Sequence, residues 1–257
     1  MIQLKSATEI TKIAASGAIV ARVLETVEQL VRPGVSTAEL DAAAHAIITG
    51  AGASPSFLGY GQPPFPGAIC TSIDHEVVHG IPSPNRILQE GSLISIDVGA
   101  CLDGYHADAA RTFTVGEVSA SILQLIRVTE ECFWRALAKA RAGARVGDLA
   151  SEIQRYAESH GYGVVRELTG HGIGRKLHES PDLPNYGRPG RGLRLEPGLV
   201  LAMEPMINMG TRHVKIRDDG WTIVTADGLA SAHYENTFVV TDEGPIVLTG
   251  PSSGTQQ

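Results

Sequence analysis

Three carboxylates stand where this chain is otherwise apolar. Asp97 sits inside Leu93-Ile-Ser-Ile-Asp97-Val98, a run of strand length. Glu204 closes Leu199-Val-Leu-Ala-Met203-Glu204, and Glu235 leads across Asn236 into Thr237-Phe-Val-Val240. An unpaired buried carboxylate costs several kcal/mol, so each calls for a cation, a metal or a proton. A charge at a strand edge, in water, would account for one such residue but strains to account for three. Register adds a fourth. If Asp103-Gly104 is a two-residue hairpin loop, Leu102 faces Tyr105 and Gly99 faces Asp108. Asp97 lies two residues before Gly99 on the same face, which makes Asp97 and Asp108 diagonal neighbours about 7 Å apart at Cα. Two such carboxylates either share a proton or clamp a metal.

Histidine supplies the nitrogen. Gly170-His171-Gly-Ile-Gly174 sets a histidine among glycines, where the backbone bends tightly and should leave the ring accessible. His178 follows seven residues on, and His79 ends an apolar stretch in Val77-Val-His79-Gly-Ile-Pro82. Of the nine histidines, His45, His106 and His160 carry no functional claim, and His75, His213 and His233 are ambiguous. Should Asp97, Asp108, His171, Glu204 and Glu235 converge, four carboxylates and one imidazole are too many for one zinc and wrong for a structural site. They suit two divalent ions bridged by carboxylates, with Mn²⁺, Fe²⁺ or Co²⁺ favoured by hard oxygen donors. Such a pair makes hydroxide from water near neutral pH and polarises a carbonyl, which is hydrolytic chemistry.

The elements that must position these groups recur. Ser6 and Glu9 form a capping-box pattern, and Ile10, Ile13, Gly17, Val20, Leu24, Val27 and Val31 follow at helical steps until Pro33-Gly34. Ser36 with Glu39 opens a second helix from about Thr37 to Ile48, closed by Gly50 and Gly52. A long helix is expected from Ser121 to Ala142, and Arg141-Ala-Gly143, Asp148-Leu149 and His160-Gly161 repeat Arg32-Pro-Gly34, Glu39-Leu40 and Ala51-Gly52 at one offset of 109 residues. Strand-length segments follow each helix pair, and Asp219-Gly220, Asp227-Gly228 and Glu243-Gly244 mark turns between them. The expected architecture is α/β (α+β): one unit over residues 1–250, built of two similar halves at about 6–116 and 117–250, with a site between them and a flexible tail at 251–257.

Composition limits the rest. The 257 residues are 43% hydrophobic, enough for a sizeable core, and the formal net charge of −7 argues against a phosphate-coating nucleic-acid binder. No basic patch stands out, no apolar run is long enough to span a bilayer, and no secretory segment is apparent. Cys70, Cys101 and Cys132 form no CxxC and no even framework, so a reducing, cytoplasmic setting is expected.

The motifs Ser56-Phe-Leu-Gly-Tyr60, Glu76-Val-Val-His79-Gly-Ile-Pro82, Ile96-Asp97-Val-Gly99, Asp108-Ala-Ala-Arg-Thr112, Gly170-His171-Gly-Ile-Gly174, Met203-Glu204-Pro205 and Tyr234-Glu235-Asn-Thr237 occur in that order. Together they resemble the type I methionine aminopeptidases, from the first helix to about Leu248. The resemblance implies a pita-bread fold with two pseudo-symmetric halves and two divalent ions (Co, Mn, Fe or Zn) held by Asp97, Asp108, His171, Glu204 and Glu235, with Asp108 and Glu235 bridging. It implies that Glu204 also shuttles a proton, that His178 serves the oxyanion and that His79 contacts the scissile amide. Phe65, Cys70 and Trp221 would line the methionine pocket. The implied substrates are N-terminal methionyl peptides and nascent chains with a small second residue, handled by a cytoplasmic monomer, with the ribosome as a further partner and no membrane or direct nucleic-acid recognition. Four departures touch the surroundings. Gly61-Gln-Pro-Pro-Phe65 is longer than the family's usual Gly-Gly-Phe, Leu177 replaces an aromatic of some members, Asn236 stands where histidine is frequent, and Asp74-His75 replaces the common Asn-acid or Asn-Glu. The rival readings are a proline-specific aminopeptidase of the same fold and a metal-free pita-bread module that binds peptides.

Overall fold

The computed structural model describes residues 2–250; the expected flexible tail at 251–257 lies outside them. The first half contains α1 (Ala7–Leu30), α2 (Thr37–Gly50) and strands β1 (Ser54–Pro55), β2 (Ile69–Ile73), β3 (Glu76–Val78), β4 (Leu93–Leu102) and β5 (Tyr105–Thr114). The second contains α3 (Ala120–Leu137), α4 (Val146–Ser159), β6 (Gly163–Val164), β7 (Thr169–Gly172), β8 (Glu179–Pro184), β9 (Val200–Met203), β10 (Met206–Asn208), β11 (Val214–Ile216), β12 (Ile223–Thr225), β13 (Ser231–His233), β14 (Asn236–Val240) and β15 (Pro245–Val247).

Both capping boxes form. Ser6 Oγ accepts from Glu9 N at 3.3 Å while Glu9 Oε2 accepts from Ser6 N at 3.0 Å, and Ser36 and Glu39 repeat the exchange at 3.3 and 2.8 Å. At α4 only the returning half recurs, with Asp148 Oδ2 accepting from Arg145 N at 2.8 Å. The helix pairs share their tertiary ties as well. Gly34 N donates to Leu88 O and, 109 positions on, Gly143 N donates to Leu195 O, both at 2.9 Å. The return bonds Leu88 N to Val35 O and Leu195 N to Ala144 O are 2.8 and 2.7 Å. The long helix stops at Leu137, five residues before the expected end. There the chain tightens to three-residue spacing, with Lys139 N bonding Ala136 O and Ala140 N bonding Leu137 O, and this turns Ala140 into the core.

Two larger antiparallel sheets carry the chemistry. In the first, β4 pairs with β5 on one edge and with β1 and β2 on the other. In the second the order is β15-β14-β9-β7-β8. The hairpin between β4 and β5 has the expected register, Leu102 opposite Tyr105 and Gly99 opposite Asp108. Asp103 and Gly104 both take positive φ, 51° and 75°, as a primed two-residue turn requires. The sheets meet where residues 108–110 run beside 235–237: Glu235 N donates to Ala110 O at 3.0 Å, and Asp108 N to Thr237 Oγ1 at 3.0 Å. Helices α1 and α2 bury Ile13, Val20, Leu40 and Ile48 with Ile94 and Ile96, while α3 and α4 bury Leu125, Phe133, Leu149 and Ile153 with Leu201 and Phe238. Each fully buried side chain of this size stabilises by about 1.5–3 kcal/mol, and together they hold the two sheets as fixed platforms.

One expectation is corrected on the surface. A basic cluster does exist. The bridge between Arg145 and Arg194, and bonds from Gly147 N to Arg191 O and from Arg145 Nη1 to Gly192 O, fold the 188–194 loop against the α3–α4 turn. Lys139, Arg141, Arg188, Arg191 and Arg194 are exposed there, and none makes an ion pair among the described residues. A whole-chain charge of −7 conceals this local excess.

Candidate metal centre

Each candidate ligand sits on or beside a strand. Asp97 lies on β4, Asp108 on β5 and His171 on β7, while Glu204 follows β9 and Glu235 precedes β14. All five line one cavity of about 120 Å³. Ligand atoms of Asp108, His171 and Glu235 lie within 4.8 Å of one another. His171 Nε2 is 3.6 Å from Glu204 Oε1 and 4.0 Å from Asp108 Oδ2. The register puts Asp97 opposite Ala110 and Asp108 opposite Gly99, the expected diagonal.

His171 is buried, with 6% of its surface exposed, where the flanking glycines led us to expect an accessible ring. Those glycines instead bring neighbouring backbone close. A Cβ at Gly170 would come within 2.4 Å of Ala202 O, and one at Gly172 within 2.5 Å of Ser180 O. His171 Nδ1 is 2.9 Å from Gly172 O. A carbonyl only accepts, so Nδ1 carries the proton and the Nε2 lone pair faces the carboxylates, as a metal ligand needs.

The electrostatics calls for cations. Burial pushes Asp97 up to about 7. Burial, and then the neighbouring carboxylates, hold Asp108, Glu204 and Glu235 well above their usual range. Burial lowers His171 and His233 to about 3, so both rings are neutral at neutral pH. Asp97 Oδ1, Asp108 Oδ1 and Glu235 Oε1 are buried without a hydrogen-bond partner. Orphaned oxygens of this kind are costly unless a cation meets them, and a neutral imidazole stands ready among them, so the donor set fits divalent metal.

The expected pocket residues gather beside this cluster. Phe65, Cys70 and Trp221 line the cavity with His79 and His178. Phe65 and His79 both meet Trp221 edge-on, at centroid distances of 5.3 and 5.9 Å. Burial raises the Cys70 thiol well above its ordinary value, so it is a neutral wall rather than a nucleophile. His79 has a φ of 59°, uncommon for a residue with a Cβ, and burial lowers its ring to about 4.

Sequence reasoning assigned no site role to four residues that the structure places here. Phe57, Tyr60 and Leu177 also line the cavity, and Tyr60 Oη is 2.6 Å from His178 Nδ1. His233 Nε2 lies 3.8 Å from Glu204 Oε2 and 3.9 Å from Glu235 Oε2 and has no hydrogen-bond partner. Its signal was only partial, since His233 lies two positions before Glu235 but on the separate strand β13.

Residues 11–242 match metallopeptidase family M24, and with the site above they define the class: the chain is a metallopeptidase of that family. Within it, the chain is 52% identical over 249 residues to a methionine aminopeptidase of Clostridium acetobutylicum, covering 97% of this chain and 99% of that one. It is 46% identical to methionine aminopeptidase 1 of Bacillus subtilis, over 97% and 99% of the two chains. The crystal structure of the methionine aminopeptidase of Thermotoga maritima superposes with a TM-score of 0.95 at 40% identity, over 97% and 99% of the chains. The chain therefore belongs to the methionine aminopeptidase family and has its pita-bread fold.

Proposed function

We propose that this enzyme removes the N-terminal methionine from peptides and nascent proteins whose second residue is small. Asp97, Asp108, His171, Glu204 and Glu235 would hold two divalent ions (Co, Mn, Fe or Zn), with Asp108 and Glu235 shared between them. When bound, the ions supply Lewis-acid polarisation of the scissile carbonyl and an activated water near neutral pH.

The chain's own residues do the rest. Glu204, which lines the cavity, would take a proton from the attacking water as a carboxylate and return it to the leaving amine. His178 directs an N–H at the carbonyl oxygen as that oxygen gains charge. His79 contacts the scissile amide. Phe65, Cys70 and Trp221 form an apolar slot for the flexible thioether. The working unit is residues 1–250 with halves at about 6–116 and 117–250, acting as a cytoplasmic monomer. The three free cysteines fit a reducing compartment, and no helix among the described residues is long and apolar enough to cross a membrane. Contact with the ribosome is supported by the exposed Lys139, Arg141, Arg188, Arg191 and Arg194, which make no ion pair among the described residues and whose phosphate-binding chemistry suits ribosomal RNA.

The observation that carries this reading is the buried cluster of Asp108, His171 and Glu235 in one cavity with the apolar side chains of Phe65, Cys70 and Trp221. The high identity to methionine aminopeptidases favours it over a proline-specific peptidase, and the intact acidic donor set favours it over a metal-free binding module. The test is to titrate metal-stripped enzyme with each divalent ion on a Met-Ala-Ser peptide and on a Met-Pro peptide lengthened at its C-terminus. Activity should return with about two equivalents of metal. Full activity in metal-free protein, or release of methionine only before proline, would overturn it.

A further inference from the structure

The loop that departs from the family pattern is closed on itself. Gly59 N donates to Phe65 O and Phe65 N to Tyr60 O, both at 2.8 Å. Its tip is fastened to the pocket wall, because Trp221 Nε1 donates to Pro63 O at 2.9 Å. Gly61 lies close against the same indole: a Cβ there would come within 2.4 Å of Cη2. Backbone bonds and the indole thus hold Tyr60 in place, and its Oη stands 2.6 Å from His178 Nδ1. The His178 ring in turn lies 4.2 Å from that of His171.

We propose that Tyr60 is a positioning residue for His178, donating its phenolic proton to Nδ1 so that His178 keeps its own proton on Nε2 and presents a donor to the cavity. A neutral imidazole has one donor nitrogen and one acceptor. If Tyr60 accepted from Nδ1 instead, Nε2 would be a bare lone pair and would repel an oxygen gaining negative charge. The longer Gly61–Phe65 loop then has a mechanical role, since its Pro63 carbonyl lets Trp221 brace the segment that carries Tyr60. This inference rests on the oxyanion role of His178 proposed above.

Tyr60→Phe keeps the ring and removes only the hydroxyl. Metal content and affinity, measured by calorimetry, should be unchanged and KM should stay within about twofold, while kcat falls roughly tenfold, the lower end for losing a partner that orients a site histidine. In a His178→Ala background the same change should have no effect on kcat. Histidine nitrogen NMR on zinc-loaded protein should show His178 as the Nε2–H tautomer in the parent and as a mixture in Tyr60→Phe. An unchanged kcat in Tyr60→Phe, an equal loss in the His178→Ala background, or an Nδ1–H tautomer in the parent would each overturn the proposal. If His178→Ala itself turns over at the parent rate, the oxyanion reading fails, and the tautomer measurement then decides on Tyr60 alone.

Discussion

Thr237 Oγ1 accepts the amide of Asp108 at 3.0 Å and donates to its carbonyl at 2.9 Å. One side-chain hydroxyl thereby takes the place of a backbone partner on both sides of a candidate bridging ligand. It joins the strand carrying Asp108 to the segment carrying Glu235. Thr237→Val keeps the shape and removes both bonds. It should destabilise the protein by about 1–3 kcal/mol, because a buried donor and acceptor lose their partner, and should also weaken metal binding. Thr237→Ser should retain most of both. Chemical denaturation and metal calorimetry on the pair test this, and a wild-type metal affinity in Thr237→Val would separate the bond from the site.

The pH dependence of the metal-free protein follows from the raised carboxylates. Asp97, lifted to about 7, holds a proton in the folded chain that the unfolded chain has already released above about pH 4. Its contribution to stability is complete below that unfolded value and is lost as pH rises through about 7. Metal-free protein should therefore lose stability from about pH 5.5 to about pH 7.5, and Mn²⁺ should raise Tm more at the higher value. Equal gains at both pH values would contradict the assignment.

His178→Ala should keep both metals and slow turnover roughly 10²–10³-fold, the effect of losing one oxyanion donor. Metal content by elemental analysis, set beside kcat, separates the alternatives. A fall in bound metal would make His178 a ligand.

In the pocket, Phe65 and His79 both pack edge-on against Trp221. Peptides beginning with methionine should be preferred over those beginning with leucine by about 1–3 kcal/mol in kcat/KM, the usual worth of a mismatched apolar group. Equal rates would show that the longer 61–65 loop has widened the slot.

The basic cluster predicts a salt-dependent association. Replacing Arg188, Arg191 and Arg194 with glutamine should lower affinity for ribosomes and flatten its dependence on salt, while cleavage of short peptides is unchanged. Co-sedimentation at several ionic strengths measures this, and an unaltered salt slope would remove the cluster from the interaction.

Local rules made the hairpin readable, because Asp103-Gly104 sets the loop length and the loop length sets which residues face each other. They also exposed Glu204 and Glu235, since a carboxylate at the end of an apolar strand breaks its pattern. The partner of His178 was not readable. Tyr60 lies 118 positions away, and only the braced loop brings them together. The basic surface escaped for a related reason: Arg188, Arg191 and Arg194 look like a solvated turn until the chain folds them against Lys139 and Arg141. His171 misled in the other direction, because glycine beside it allowed close packing rather than exposure.

The splice between residues 108–110 and 235–237 also bears on the order of events during synthesis. The hairpin carrying Asp97 and Asp108 closes through neighbours in sequence and can form early. The other candidate ligands, His171, Glu204 and Glu235, are translated later. A polypeptide made only as far as that hairpin thus carries two of the five candidate ligands, Asp97 and Asp108. The full candidate donor set is assembled only once Glu235 and the strand that follows it are in place.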